Sequence, residues 1–228
     1  MNNTLLMLTG TTRMQRLTLA DFPALQALTI VALDGVPDST LRRRTESELA
    51  PFLSGKLGRA YAVFDGDLMV AAALMRLPKP WNPNPGSGFP VIPDVDWGMR
   101  TAMLEYAMVA PWARRRGLHR ALYDMRRVDA KLAGMAWLAS GAHVKNSASW
   151  YNLLSSGMSL VGSRVSPQGH EVVALLAPLH GQTIPTHPHD RLRIARDDSA
   201  AHFKALQSGY IGIGIEPPGG VVYARGLD

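Results

Sequence analysis

The sequence predicts a mixed α/β fold, one domain in residues 1–178 followed by a C-terminal helix–hairpin extension in residues 179–228. Three observations carry that reading. Apolar residues fill 46% of the 228 positions and charged residues 18%, below the roughly 25% usual in soluble domains, so the chain can bury a sizeable core. Strand-like alternation and helix-like i, i+3, i+4, i+7 spacing follow one another along the chain. Past Pro178 the composition shifts.

Taken in order, Arg13 to Leu17 alternates and reads as a short strand. Thr18 is an N-cap, with Asp21 in the first turn, for a helix burying Phe22, Leu25, Leu28 and Ala32; Pro23 is tolerated because it falls in that first turn. Asp34 to Asp38 is a loop, and Ser39 or Thr40 starts a second helix running to about Gly55. The runs Arg59 to Phe64 and Leu68 to Leu77 flank Asp65-Gly66-Asp67 as a hairpin. Pro78 to Pro93 is too rich in proline and glycine for a regular element and reads as a long surface loop.

A strand is expected from about Arg100 to Val109, then a helix from Gly117 with Leu118, Ala121, Leu122, Met125 and Leu132 on its apolar face. Asp124 can pair with Arg120 and Arg127 on the other face. Met135 to Ser140 is an apolar strand, Ser147 to Ser156 a short helix ended by Gly157, and Met158 to Arg164 and Glu171 to Ala177 are two further strands. His180 to Pro188 reads as an irregular connector. Asp197 or Asp198 then caps a helix to about Gln207, and Tyr210 to Ile215 and Val221 to Arg225 form a closing hairpin.

Composition removes several function classes. There is no cysteine, so a disulfide framework, a thiolate metal site and a cysteine nucleophile are excluded. The stretch Met1 to Leu8 has no basic leader and too short an apolar run for a secretory signal. The longest apolar run, Leu68 to Met75, is far below the about 20 residues a membrane-spanning helix needs. A soluble cytoplasmic protein without a membrane partner is the expectation. The net charge of +6 suits an anionic partner but does not choose among nucleic acid, membrane surface and a small anion.

The most informative stretch is Leu104 to Leu122, where a strand ends at Pro111, Arg114-Arg115-Arg116-Gly117 follow, and a helix begins. Free N–H groups and the positive dipole at a helix N-terminus favour an anion. Gly117 lets a phosphate approach the backbone, and the arginines supply charge and paired hydrogen bonds. The site suits a pyrophosphate. It is not a P-loop, since the Gly-Lys-Ser/Thr ending is missing.

At these residues the chain resembles the GCN5-related N-acetyltransferase (GNAT) superfamily. The family's acyl-CoA loop, Arg/Gln-x-x-Gly-x-Gly/Ala, falls on Arg114, Gly117 and His119, preceded by a Val-x-Pro at Val109 and Pro111 and followed by Arg120-Ala121-Leu122. A second block, Asn146 to Met158, is similar to the family's Asn-x-x-Ala/Ser helix ending in Gly-Phe/Met. The order of elements from Arg13 to Ala177 also fits. There are two departures: His119 stands where the family has glycine or alanine, and Leu153 stands where many members carry the tyrosine that protonates the departing thiolate.

The resemblance implies a central mixed, mostly antiparallel sheet flanked by helices. It implies an acyl-CoA-dependent N-acyltransferase, with acetyl-CoA the expected co-substrate, transferring directly to an amine without a metal. Arg114, Arg115, Arg116, Gly117, Leu118, His119 and Arg120 would cradle the pyrophosphate; Ala107, Met108 and Val109 would hold the pantetheine arm and thioester; Asn146 and Ser149 would lie near that arm. The acceptor stays open between a small-molecule amine, a protein amine and an aminoacyl group on tRNA. So does a rival reading, a GNAT-fold module that holds CoA without catalysis. The extension could cover the acceptor cleft, extend the sheet or exchange with a partner subunit in a homodimer.

Acyl transfer needs a neutral amine, and amines have pKa values near 10, so a base is required. Glu105, which alternates to the same strand face as Ala107 and Val109, is the base candidate. With Leu153 aliphatic, the proton for the thiolate would come from Tyr151 or from water; His143 is a second acid/base candidate.

Other signals carry less. His180 and the run His187 to Asp190 do not make a metal site, Gly212-Ile213-Gly214 lacks the third glycine of a dinucleotide loop, and Arg42 to Arg44 reads as a solvated helix face. Asp34 and Asp38 lie in the loop where acceptors commonly enter members of the family; they could bind a cationic acceptor, though aspartates are also good turn residues. Trp150 is expected in the core or at an interface.

Overall fold

A computed structural model describes residues 6–7, 12–36, 43–79, 99–166 and 169–227. Thr18 opens the helical part as expected: the Asp21 carboxylate accepts both the Thr18 N–H (2.8 Å) and its hydroxyl (2.9 Å), a turn of 3-10 helix follows, and α1 (Phe22–Ala32) buries Leu25, Leu28 and Ala32. Before it lie β1 (Leu6–Met7) and β2 (Thr12–Arg16).

The second helix is shorter than its sequence suggests. It is α2 (Glu46–Leu53), started by Thr45, whose N–H donates to the Glu48 carboxylate at 2.8 Å. Arg43 and Arg44 precede it and are not helical, because the Thr45–Glu48 pair supplies the stronger start signal. Residues 39 and 40 lie outside the described residues.

The hairpin is β3 (Gly58–Asp65) and β4 (Leu68–Arg76), closed by the two residues Gly66 and Asp67. Most of both strands is buried on both faces. Arg76 lies opposite Gly58 and reaches Phe52 of α2, while the adjacent Arg59 pairs with Asp129 of the helix that follows β5. Successive residues of a strand face opposite ways, so α2 and that helix cover opposite faces of the sheet. The proline-rich stretch Pro78 to Pro93 lies, from residue 80 on, outside the described residues.

After β5 (Thr101–Val109) comes α3 (Leu118–Leu132), then β6 (Trp137–His143), α4 (Ser147–Ser155), β7 (Ser159–Val165) and β8 (Glu171–Pro178). Helix α3 buries Leu118, Leu122 and Met125 as expected, but Leu132 is 81% exposed. The helix is tied to the sheet at Asp129 and its last turn runs beyond that tie. Trp150 is core, with its indole N–H donating to the Val144 carbonyl at 2.8 Å.

The extension adds β9 (Thr186–Ile194), α5 (Ser199–Gln207), β10 (Tyr210–Glu216) and β11 (Gly220–Gly226). Asp198 caps α5 by accepting the Ala201 N–H at 3.0 Å. The expected connector is irregular only as far as Pro185; from Thr186 the chain is a strand, held by backbone pairing to β11 rather than by any apolar pattern of its own. The eleven strands among the described residues form one sheet in the order β1-β2-β3-β4-β5-β6-β8-β7-β10-β11-β9. The extension therefore continues the sheet past β7, where Gly212 sits opposite Leu160; a Cβ at Gly212 would come within 2.9 Å of the Leu160 Cβ. His202 and Tyr223, hydrogen-bonded at 2.8 Å and buried, join α5 to β11.

Candidate functional site

Among the described strands, β5 and β6 are the one parallel pair, and their pairing stops early. It runs from Thr101↔Trp137 to Leu104↔Ser140 and no further. On its other side β5 stays paired with β4, but between Leu74↔Glu105 and Ala72↔Met108 it carries one extra residue. Tyr106 takes the strain of that bulge, with φ of 49°. Beyond it β5 leaves β6 and the two strands open into a V.

The V is part of a cleft of about 1060 Å3, lined by β5 from Leu104 to Val109, by β6 from Ser140 to His143, by the loop before α3 and by one face of α4. The Ala110 N–H donates to Val70 of β4 at 2.9 Å. Strand alternation then turns the Val109 N–H the opposite way, toward the cleft, where β6 no longer takes it up. This is the segment expected to hold a pantetheine arm.

At the mouth, Gly117 caps α3 in the left-handed region with φ of 73°. The first α-helical bond runs from the Ala121 N–H to the Gly117 carbonyl. The N–H groups of Leu118, His119 and Arg120 therefore lack acceptors within the helix. Apart from its own chain neighbours, no atom of the described residues lies within 4 Å of a Cβ built on Gly117, so the space beside these donors is open. Arg115 is also left-handed, at 63°. This cradle fits a pyrophosphate: free donors, the positive helix end and room for oxygen atoms.

The arginines are not equivalent. Arg114 and Arg115 line the cleft; Arg114 is steadied by the Ala32 carbonyl of α1 at 3.3 Å. Arg120 lines it too, paired with Asp124 at 3.0 Å and bonded to the Ser155 carbonyl at 3.3 Å. Arg116, expected in the cradle, turns outward to Asp65 of the β3–β4 turn at 3.0 Å and does not line the cleft. The left-handed turn at Arg115 sends neighbouring side chains to opposite sides.

Among the described residues lining the cleft, Glu105 is the only carboxylate, against five arginines. Its oxygens are already engaged: Oε2 accepts from Arg44 Nη2 at 2.7 Å, and Oε1 from Arg76 Nε at 2.5 Å. Arg44, expected on a solvated face, is thus drawn under the sheet by a partner 61 residues away. The Tyr106 hydroxyl oxygen accepts the Arg44 N–H at 3.2 Å.

His143 lines the cleft, and its Nδ1 accepts the Lys145 N–H at 3.1 Å, which leaves the proton of the neutral ring on Nε2. Desolvation, then the nearby His170, lowers its pKa. Tyr151 does not line the cleft. Its hydroxyl donates to the Gly219 carbonyl at 3.4 Å and Arg196 covers its ring, because the β10–β11 turn packs on that side of α4. Leu153 lines the cleft and is buried. Asn146 and Ser149 line it as well, joined by a helix-capping bond of 3.3 Å from the Ser149 N–H to Asn146 Oδ1.

Two cleft residues were not singled out for these properties by sequence. His119 is mostly buried, its Nδ1 has no hydrogen-bond partner, and burial, with Arg126 nearby, lowers its pKa to about 4. Arg126 is fully buried on the same helix face and also lines the cleft. An arginine at an apolar position of α3 was the available signal.

No family model and no curated protein sequence matches the chain. Solved structures do. The GNAT domain of PAT from S. lividans superposes with a TM-score of 0.59 at 17% identity, over 78% of this chain and 97% of its own. The chain has the GNAT fold. Two further GNAT-fold neighbours agree. The ribosomal-protein-S18-alanine N-acetyltransferase of Escherichia coli gives a TM-score of 0.56 at 18% identity, over 75% of this chain and 96% of its own. The putative acetyltransferase yncA of Salmonella typhimurium, solved with its cofactor acetyl-CoA, gives 0.57 at 15% identity, over 76% and 97%. Among the described residues, no histidine and carboxylate groups gather to hold a metal ion, and no helix is long and apolar enough to cross a membrane.

Proposed function

We propose that this protein transfers an acyl group, acetyl in the first instance, from acyl-CoA to an amine, directly and without a covalent enzyme intermediate. One observation carries the reading: the V between β5 and β6 leads to the open N-terminus of α3, so one continuous cleft offers strand N–H groups at one end and an anion cradle at the other. Acetyl-CoA brings a thioester to be opened by the amine. Gly117 to Arg120, with Arg114 and Arg115, would hold its pyrophosphate, and Ala107 to Val109 would align its arm. The acceptor is an amine of a small molecule or of a protein. Three of the similar structures are named as acetyltransferases of ribosomal proteins, which makes peptide N-termini a sensible part of an acceptor screen.

The base that takes the amine proton is, in this reading, Glu105 acting through water. Its carboxylate keeps lone pairs free of the two guanidinium groups, and it stands at the opening of the V. In the same reading the domain of residues 1–178 does the chemistry and residues 179–228 buttress α4. A second reading, a CoA-holding module without turnover, is favoured by the aliphatic Leu153 and by Tyr151 facing away. Release of free CoA in the presence of a wide amine panel separates the two. Turnover that falls in Glu105→Gln while CoA affinity is kept supports the enzyme; CoA binding with no turnover on any amine supports the module.

A further inference from the structure

Among the described residues Arg126 is a charge faced by Tyr61 of β3 and by Tyr123 and His119 of its own helix, and by no carboxylate paired with it. Only 1% of it is exposed, and desolvation lowers its pKa to about 10, which leaves it cationic at neutral pH. It donates from Nε to the Leu122 carbonyl at 3.0 Å and from Nη1 to the Leu74 carbonyl at 3.1 Å, both neutral acceptors. The carboxylates nearest on its own helix are engaged elsewhere: Asp124 with Arg120, Asp129 with Arg59 and Tyr61. Among the described residues no carboxylate pairs with Arg126. Such a buried cation is costly unless something negative joins it.

Its position says when that charge arrives. Leu74 lies opposite Glu105, one residue past the last β5–β6 pair at Leu104. The guanidinium therefore lies against β4, level with the residue at which β5 leaves β6, and lines the same cleft as Leu104 and Ser140. Two turns nearer the mouth, the unpartnered Nδ1 of His119 on the same helix face marks a second polar atom waiting for a ligand.

We propose that Arg126 is a catalytic residue that stabilises the departing thiolate of the acyl-CoA, in place of a proton-donating tyrosine; the inference rests on the acyltransferase reading above. The amine lone pair forms the C–N bond at the thioester carbonyl carbon. The C–S electron pair leaves on sulfur, and the amine proton passes to the base. The sulfur departs as an anion paired with the guanidinium and takes a proton from water on release. A thiol of ordinary pKa near 8.5 is readily held as thiolate beside a fixed cation, and burial strengthens the attraction. Leu153 is aliphatic and Tyr151, directed to Gly219, does not line the cleft, so neither supplies a proton there.

The test titrates the thiol of bound CoA in the native protein by the ultraviolet absorbance of the thiolate. The expected result is an apparent pKa at least about one unit below that of free CoA, a tenfold shift. In parallel, the preference for CoA over desulfo-CoA should rise with pH in the same range, a readout that needs no variant. Arg126→Met should return the bound thiol to its free value with CoA still held, and Arg126→Lys should keep most of the shift. CoA that binds with an unshifted thiol overturns the role of Arg126 and leaves the acyltransferase reading standing. CoA that does not bind at all overturns both.

Discussion

His119 occupies a place where a phosphate-binding loop would favour a small residue, and the protein keeps it neutral. Its pKa of about 4, against about 6.5 in an unfolded chain, means the unfolded state binds a proton that the folded state refuses. Stability from this group is thus fully present above about pH 6.5 and is lost as pH falls toward 4, by on the order of 3 kcal/mol. Urea unfolding across that window should show a shallower slope in His119→Ala than in the parent; equal slopes would mean the ring is not buried as described. His202, also lowered by burial, adds a smaller slope of the same sign that the variant retains. Glu105→Gln is expected to cost about 2 kcal/mol, since it leaves Arg44 and Arg76 side by side without their carboxylate. Its rate effect should be read at matched folded fraction, as a fall in kcat with acyl-CoA affinity kept. Sequence placed Glu105 on the correct strand but could not show its two arginines. Nor could it show that Arg126 is buried, because burial of a charge is decided by distant parts of the chain.

Single elements were readable where their causes are local. Thr18 with Asp21 starts α1, the Asp65–Asp67 turn closes β3 on β4, and Asp198 starts α5, each within a few residues of sequence. Strand β9 was not readable, because Thr186 to Ile194 has no apolar alternation and becomes a strand only through its ladder with β11. The start of α2 lies at Thr45, whose pairing with Glu48 was the stronger local signal. Two element-level changes follow. Gly117→Ala puts a methyl group in open space but at φ of 73°, so it should cost about 1 kcal/mol in stability and weaken acyl-CoA binding by more than that, as calorimetry and unfolding together would show. Gly212→Val drives a branched side chain into Leu160 and should loosen the β7–β10 junction, seen as faster amide exchange in β10 and β11 with β3 and β4 unchanged.

At the scale of the molecule, the mixed sheet and the run of helices were legible because each element had its own pattern. The candidate site was not: the V exists only because β5, bulged against β4, parts from β6 after four residue pairs, and pairing partners are not written in either strand. The net charge of +6 and the five arginines along the cleft make an electrostatic contribution to any CoA complex. Affinity should therefore fall as salt rises. If this cleft holds an acyl-CoA with its phosphates on the N-terminus of α3, calorimetric titration of the purified protein with acetyl-CoA, beside the Arg114→Ala/Arg115→Ala double variant, should show it. One site per chain is expected in the parent, and at least a tenfold loss of affinity in the variant, about 1.4 kcal/mol. A parent that binds neither acetyl-CoA, nor longer acyl-CoAs, nor CoA itself would contradict it.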